Sequence, residues 1–450
     1  MRARRLLRRP ALVAGLLLFA TQAQAEQAPE TLFRNVRVFD GKGTTLSGPT
    51  NVLVRGKRIA AVGAGAASAT AKVVAGEGRT LMPGLIDAHT HIMLAELPEM
   101  AAMTADIGYI TLVAARTAER LLLRGFTSIR EAGDPSFALK RAIDEGLVRG
   151  PRIWPAGAMI SQTSGHGDFR LPSELPAAPG ALSHSERMGA AAIADGPDLV
   201  RMRVREQLRQ GASQSKLMAG GGVTSRFDPL DVTQYSLEEM RAAVEAAEHW
   251  GTYGLVHAYT PRAKRRAVEA GVRCIEHGQL ADADTAKLLA EKGVWWSLQP
   301  FLDDEDANPR PEGSPARAKP EQTQKGTHTA YRLAIEHGVR VSGGTDTVFA
   351  PGAIARSNAK LTKLRRWYTP GEVLRIATGR NGELLALSGP RAAYAGPIGV
   401  IEPGALADLI LVDGDPVADL SLIEDPERRF PVIMKGGGLH KDITAATSPP

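Results

Sequence analysis

The 450-residue sequence contains one cysteine, Cys274, and beyond its N-terminus no apolar run approaches the roughly 20 residues that span a bilayer. A single cysteine excludes an intramolecular disulfide, and its distance from the N-terminus excludes a lipid-modified cysteine there. The fold must therefore be stable without a disulfide. The chain is long enough for one large domain and a small second one.

The first 25 residues have the pattern of a secretory signal peptide. Five arginines precede an apolar run from Ala11 to Ala20, and the small-residue sequence Ala23-Gln24-Ala25 follows it. This run is about half as long as a membrane anchor requires. We therefore expect cleavage after Ala25 and a periplasmic or secreted mature protein, a location in which a chain without disulfides can fold.

The basic charge of the chain is largely a property of this N-terminal segment. The formal net charge is +6, and removal of residues 1–25, which hold five arginines and no acidic residue, leaves about +1. A charge so close to zero gives no support for nucleic-acid binding. We expect no nucleic-acid partner and no membrane association after cleavage.

Strand-like segments at both ends of the chain flank a long region in which strand and helix patterns alternate. The N-terminal strands are too few for an independent core, and similar strands return near the C-terminus. We therefore predict a small β-sandwich domain built from residues 26–80 and 390–450. Residues 81–389 have the strand and helix pattern of a (β/α)8 TIM barrel. The eight candidate strands are Leu81–His91, Thr127–Glu131, Arg152–Ile160, Ser213–Met218, Gly254–His257, Arg273–His277, Val294–Gln299 and Val339–Thr345.

Two long segments, Gln162–Pro197 and Phe301–Gly326, interrupt this pattern. Both are rich in proline, glycine or charged residues, and both follow candidate strands. Because the loops after barrel strands build active sites, we expect these segments to determine substrate specificity.

Candidate metal ligands recur at the C-terminal ends of the predicted barrel strands. His89 and His91 close the first strand, and strand alternation puts them on one face, where two imidazoles can bind one metal ion. Barrel enzymes keep their catalytic residues at this end of the strands, so the ordered series indicates a metal-dependent enzyme. The later strand ends supply Lys216, His257, His277 and Asp346.

The sequence strings that contain these residues resemble the metal-dependent amidohydrolase superfamily. They are LMPGLIDAHTH, the strand-end Lys216, VHAY, IEHG and GGTD, and Gly399–Leu409 is similar to the C-terminal β region of that superfamily. The resemblance extends from about Leu32 to Gly436, and it is to the prolidase-like branch. That branch contains carboxypeptidases acting on Xaa-Pro and other dipeptides, and amidohydrolases that cleave N-acyl amino acids such as ochratoxin A.

The resemblance implies a binuclear site for divalent metals, most often Zn²⁺, with Mn²⁺ or Co²⁺ as alternatives. Lys216 would be N-carboxylated, because an ammonium has no lone pair for a cation, whereas its CO2 adduct is carboxylate-like and can bridge two metals. A hydroxide bridging the metals would attack the amide, and Asp346 would transfer its proton to the leaving nitrogen. The implied ligands are His89, His91 and Asp346 for one metal and His257 and His277 for the other, with Lys216 between them.

Further residues are candidates for contact with the substrate. His166 lies between two glycines, and the prolidase-like branch has a histidine in a similar context that contacts the tetrahedral intermediate, so we predict an oxyanion donor. Tyr259 shares a strand face with His257 and is expected to donate a hydrogen bond to the substrate. The candidates for pairing with a substrate carboxylate are Arg262 and Arg265.

The single cysteine is expected to be structural. Cys274 precedes His277 by three residues, so strand alternation predicts that its side chain points towards the surrounding helices. We expect a small buried residue there and not a nucleophile.

The resemblance implies a hydrolase that cleaves the amide bond beside a C-terminal carboxylate in a dipeptide or another small molecule, and we expect it to be a homo-oligomer. A mononuclear deaminase or cyclic-amide hydrolase of the same fold is the alternative, and it is disfavoured because those branches usually lack the lysine found at position 216. A binding protein built on an inactive barrel is a second alternative, disfavoured because no ligand is missing. Two, one or no metals per chain would distinguish the three.

Overall fold

The computed structural model describes residues 28–178, 180–225, 227–307 and 315–444. The predicted signal peptide, residues 1–25, lies outside the described residues and stays a prediction. Within the described ranges, no helix combines the length and the hydropathy that are needed to cross a membrane.

Three hydrogen-bonded sheets contain the strands of the described chain. The first nine strands are β1 (Glu30–Val38), β2 (Pro49–Arg55), β3 (Arg58–Val62), β4 (Lys72–Ala75), β5 (Thr80–Pro83), β6 (Leu85–Thr90), β7 (Phe126–Glu131), β8 (Arg152–Trp154) and β9 (Met159–Ser161). The others are β10 (Ala191–Ile193), β11 (Ser215–Met218), β12 (Gly254–His257), β13 (Cys274–Glu276), β14 (Trp295–Leu298), β15 (Val341–Gly343), β16 (Leu409–Val412), β17 (Val432–Lys435) and β18 (Gly438–Asp442).

Helices connect and cover the strands. In Leu237–His249, for example, Ser236 caps the first turn, and Met240, Val244 and Ala247 are buried at helical spacing. The α-helices are α1 (Glu99–Thr104), α2 (Ile107–Leu123), α3 (Phe137–Asp144), α4 (His184–Arg187), α5 (Pro197–Arg209), α6 (Leu237–His249), α7 (Pro261–Glu269), α8 (Ala283–Glu291), α9 (Pro315–Glu336), α10 (Ser357–Thr362), α11 (Pro370–Arg375), α12 (Asn381–Leu385) and α13 (Pro426–Arg429). Tighter 3₁₀ turns are Pro172–Glu174, Ala353–Arg356, Lys363–Arg366, Ala386–Arg391 and Leu420–Ile423, and Ile376–Arg380 is a π-helical turn.

Strands from the two ends of the chain form one eight-stranded sheet. Within it β16 pairs antiparallel with β5, so the C-terminal strands extend the N-terminal ones. Apolar residues such as Val52 and Val54 alternate along the strands and bury a core separate from that of the barrel. The predicted β domain built from both termini is confirmed, while its boundaries at residues 80 and 390 stay predictions.

The first predicted barrel strand, Leu81–His91, is two strands in the structure. It breaks at Gly84, where the chain leaves β5 in the terminal sheet and enters β6 in the barrel. A Cβ atom at Gly84 would lie 2.1 Å from Thr127 Oγ1 on β7, so only glycine allows this close crossing.

The third predicted barrel strand, Arg152–Ile160, is also divided. Its first part, β8, pairs with β7, and its second part, β9, pairs with β11. Pro155 between them has no amide hydrogen, and Gly157 has φ of +77°, so the strand cannot continue there. The two short strands together occupy one barrel position and join the two parallel sheets.

Asn381 joins the first and last strands of the barrel. Its Nδ2 donates to Ile86 O at 2.7 Å and to Gly343 O at 2.8 Å, and its Oδ1 accepts from Gly343 N at 3.1 Å. Asp346 N also donates to His89 O at 2.9 Å. The predicted (β/α)8 barrel is confirmed, and because its strands are parallel their C-terminal ends meet on one face.

Candidate metal centre

The predicted metal ligands converge at the C-terminal end of the barrel, around Asp346. Oδ1 of Asp346 lies 3.4 Å from His89 Nε2 and 3.5 Å from His91 Nε2. Its Oδ2 lies 3.6 Å from His277 Nδ1. Asp346 and His277 have φ of +47° and +63°, a conformation uncommon outside glycine. The chain therefore turns sharply as it leaves β13 and β15, and this turn directs both side chains into the centre.

His257 and Lys216 are neighbours of His277. The ring centroids of His257 and His277 are 4.6 Å apart. Lys216 is 1% exposed on β11, and it lines the same cavity as His91, His257 and His277. All six predicted ligands are thus brought together.

Each histidine of the candidate centre directs one ring nitrogen to a partner outside it. Such contacts fix the orientation of an imidazole and leave its second nitrogen for a metal. The contacts are His89 Nδ1 to Glu276 Oε2 at 2.6 Å, His91 Nδ1 to Asp134 Oδ1 at 3.1 Å, His277 Nδ1 to Gln299 Oε1 at 2.8 Å and His257 Nε2 to Gly221 O at 3.0 Å.

The chemistry of these residues fits a divalent metal. Within the described chain, His89 Nε2 is buried without a hydrogen-bond partner, which is costly unless something else satisfies it. His89, His277 and Asp346 offer ligand atoms that all lie within 4.8 Å of one another. Imidazole nitrogens combined with a carboxylate are ligands that suit Zn²⁺ and related ions.

Burial sets the protonation of the candidate centre. It lowers the pKa of His89, His257 and His277 well below the usual value, and nearby cationic groups lower it further. Neutral imidazoles are the form that binds metals. Burial also raises the pKa of Asp346, an effect that His91 and Lys216 oppose, and it lowers the pKa of Lys216.

Two of the predicted substrate-contacting residues line the cavity above the centre. The ring of His166 stacks on His257 with centroids 4.1 Å apart, and its Nδ1 is hydrogen-bonded to Ser225 Oγ at 2.8 Å. The ring of Tyr259 lies 5.4 Å from that of His277. Both residues are therefore close enough to contact a molecule bound at the centre.

The two predicted carboxylate-binding arginines lie elsewhere. Arg262 and Arg265 are exposed on α7, and neither lines the cavity. Arg265 pairs with Asp282 at 2.6 Å. Helical geometry explains this position, because the buried residues of α7 are Ala263, Lys264 and Ala267. Apart from Lys216, the lysine and arginine side chains of the described residues that line the cavity are those of Lys360 and Lys363.

The cavity has a volume of about 190 Å³. One water needs roughly 10–15 Å³ on the same scale, so a molecule of many atoms can enter. Among the described residues that line the cavity, the acidic and basic ones belong to the metal centre or to the wall that contains Lys360 and Lys363, and much of the remaining lining is apolar. The apolar side chains include Leu94, Met159, Phe169, Met218, Phe301, Leu302, Val348 and Phe349.

Glu276 and Arg130 are functional candidates that the sequence patterns did not indicate. Arg130 Nη2 donates to both carboxylate oxygens of Glu276 at 2.7 Å, and Glu276 also accepts from His89. All three side chains have 0% exposure. The sequence did contain one sign of their importance, because a charged residue is unusual inside a buried strand. Arg130 lies in Thr127–Glu131, and Glu276 lies in IEHG.

The expectation for Cys274 is wrong in direction. Its Sγ donates to Glu276 Oε1 at 2.9 Å, so it points into the barrel and not towards the helices. Strand alternation from His277 fails because His277 has left the strand, with φ of +63°. The residue is buried and structural, as expected.

Comparison with known proteins identifies the family. The family model described as "Amidohydrolase family" matches residues 80–437. The ochratoxinase of Aspergillus niger is 32% identical over 374 residues, which are 80% of this chain and 75% of that protein.

Solved structures agree with this assignment. A prolidase in complex with N-methylphosphonate-L-proline superposes with a TM-score of 0.82 at 34% identity, covering 92% of this chain and all 100% of that one. The A. niger ochratoxinase structure gives a TM-score of 0.81 at 28% identity, covering 93% and 96% of the two chains. The chain therefore belongs to the amidohydrolase family, with relatives in its prolidase-like branch, and it is a hydrolase of amide bonds.

Proposed function

We propose that this protein is a binuclear metal-dependent amidohydrolase that cleaves an amide bond beside a free carboxylate. The substrate class is a dipeptide such as Xaa-Pro or an N-acyl amino acid such as ochratoxin A. The main support is the convergence of a lysine, four histidines and one aspartate: Lys216, His91, His257, His277 and Asp346 line one cavity, and His89 Nε2 lies 3.4 Å from Asp346 Oδ1. Relatives named for ochratoxin hydrolysis and for prolidase activity support the substrate class.

In this proposal the six converging residues hold the metals. Asp346 contacts His89 and His91, which suits one shared ion, and His257 and His277 are neighbours, which suits a second. The buried Lys216 is the candidate bridge, as an N-carboxylated side chain. Two such metals would supply Lewis acidity towards the scissile carbonyl and would lower the pKa of water towards neutrality.

The other groups of the chain would handle the proton and orient the substrate. Asp346 faces Nε2 of both His89 and His91, so it is placed to accept a proton from water at the centre and pass it to the departing amine. His166 and Tyr259 line the cavity beside His257 and His277. A donor in either position would stabilise the oxyanion that forms on the carbonyl oxygen.

The test combines metal analysis with a substrate panel. Purified metal-loaded protein should contain two metals per chain and should cleave N-acyl amino acids or dipeptides. Each substrate is compared with its C-terminal amide, which lacks the carboxylate charge. The free acid should give a kcat/KM at least about tenfold higher, corresponding to roughly 1.4 kcal/mol. One metal per chain, deamination of heterocycles, or equal cleavage of acid and amide would contradict the proposal.

A further inference from the structure

Lys360 lies on the cavity wall beside the candidate metal centre. It belongs to α10 and lines the same cavity as His91. Its Nζ donates to Thr347 Oγ1 at 2.9 Å, and Thr347 directly follows Asp346 in the chain. The ammonium group is thereby held next to the loop that provides a predicted metal ligand.

The neighbouring basic residues of this wall already have acidic partners. Lys363, one helical turn further on, lies 2.7 Å from both Asp304 and Asp306. Arg356 also pairs with Asp306, at 2.5 Å. These residues tie the loop after β14 to the wall, and their charges are largely compensated.

Lys360 has no such partner. Within the described residues, no carboxylate oxygen lies within 4.0 Å of its Nζ, and its longer-range acidic neighbours are Asp306, Asp346 and Asp87. The carboxylate of Asp87 already accepts hydrogen bonds from N and from Oγ1 of Thr345. Divalent metals bound to Asp346 would compensate that carboxylate as well.

An ammonium in this position favours an incoming anion. Removing a charge from water costs free energy that a hydrogen-bonded counter-ion offsets. Burial lowers the pKa of Lys360, while Asp306 and Asp346 raise it and oppose this effect only in part. A carboxylate in the cavity would supply a charge-assisted hydrogen bond to Nζ.

We propose that Lys360 binds the free carboxylate of the substrate and so determines the preference for acids over neutral amides. The inference rests on the proposed function, which requires a carboxylate beside the scissile bond. Thr347 would orient the ammonium. The carboxylate and the scissile carbonyl group are close together in such a substrate. Binding of the carboxylate by Lys360 would therefore hold the amide near the metal centre.

The experiment measures kcat/KM for one N-acyl amino acid and for its C-terminal amide, with metal-loaded protein. In Lys360→Met, which keeps most of the apolar side chain, kcat/KM for the acid should fall about 10- to 100-fold, mainly through KM. Cleavage of the amide should stay within about threefold of the wild type, because the amide has no charge to lose. Lys360→Arg should retain part of the acid preference, because it keeps the positive charge.

Control variants test whether the acid preference depends on the charge of Lys360. Lys287→Met, at an exposed lysine of α8, should leave kcat/KM unchanged for both the acid and the amide. Lys360→Gln provides a second neutral variant if Lys360→Met does not fold. An acid preference that persists in both neutral variants, an equal loss for acid and amide, or loss of the preference in Arg262→Met would overturn the role of Lys360. A wild type without any acid preference would instead refute the proposed function.

Discussion

His89 Nδ1 donates a hydrogen bond of 2.6 Å to Oε2 of Glu276, which is itself paired with Arg130 in the centre of the barrel. A carboxylate can only accept, so the proton of the imidazole is fixed on Nδ1 and the lone pair on Nε2. That Nε2 faces Asp346 at 3.4 Å. The contacts from Arg130 through Glu276 to His89 therefore link the interior of the barrel to the candidate metal centre.

We expect Glu276→Gln to weaken metal binding by about 10- to 100-fold, the usual cost of losing such a partner. The amide is almost the same size, but it has no charge to balance Arg130 and it can present NH2 to His89. Competition with a chromophoric chelator measures the affinity directly. Activity at saturating metal should recover more than activity at limiting metal.

Glu269→Gln is the control for this prediction. Glu269 is exposed on α7, 3.5 Å from Arg241, and the same substitution there should leave metal affinity unchanged. If Glu276→Gln bound metal as tightly as the wild type, the link between the barrel interior and His89 would have no function.

The histidine and aspartate positions were predictable because they lie at or just after the C-terminal ends of parallel strands, which the barrel brings together, whereas Lys216 lies inside β11. The direction of Cys274 was not, because the left-handed turn at His277 interrupts strand alternation. Lys360 gave no signal, since it belongs to a short helix that only tertiary folding brings to the cavity. Arg262 and Arg265 were chosen by proximity in sequence, which does not specify which face of α7 they occupy.

Lys216→Ala should lose most activity and at least one of the two metals. Its side chain is fully buried beside the histidines, and the proposal makes it the bridge between the ions. A short-chain carboxylic acid added to the variant should partly restore turnover by replacing the carbamate. Metal content by mass spectrometry and the initial rate with and without the added acid are the measurements.

Lys287→Ala, at an exposed lysine, serves as the matched variant and should keep both metals. Full activity together with two metals in Lys216→Ala would show that the bridge is not at this position.

Lys264 should make stability depend on pH. It is fully buried, its Nζ donates to Gly278 O at 2.8 Å, and burial lowers its pKa to about 7 from 10.5. Between these values the unfolded chain binds more protons than the folded one, so stability rises with pH. This contribution to the free energy of unfolding is fully present above pH 10.5. It decreases as the pH falls from 10.5 to 7 and is lost below pH 7.

Lys264→Met should therefore flatten the profile. The wild type should gain about 2 kcal/mol more than the variant between pH 7 and pH 9, measured by denaturant unfolding at fixed metal concentration. Lys287→Met should keep the wild-type slope. Equal slopes for the wild type and Lys264→Met would mean that Lys264 is charged in the folded protein across this range.

His166→Asn should lower kcat by about 100- to 1,000-fold with little change in KM, the pattern expected when an oxyanion donor is lost. The ring of His166 stacks on His257 and lines the cavity, so it is near the carbonyl oxygen of a bound amide but does not bind the metals in our proposal. Metal content should therefore remain at the wild-type value. His249→Asn, at an exposed histidine of α6, should leave kcat unchanged.

A second variant tests the same position without altering the histidine. A Cβ atom at Gly222 would lie 1.9 Å from His166 Cε1, so Gly222→Ala must displace the ring. Gly222 lies in the loop after β11 and contacts His166. Displacement of the His166 ring should therefore reproduce the fall in kcat while the metals stay bound. If both variants cleaved the amide at the wild-type rate, the oxyanion would have to be stabilised by the metals or by Tyr259 instead, and His166 would serve only to pack against His257.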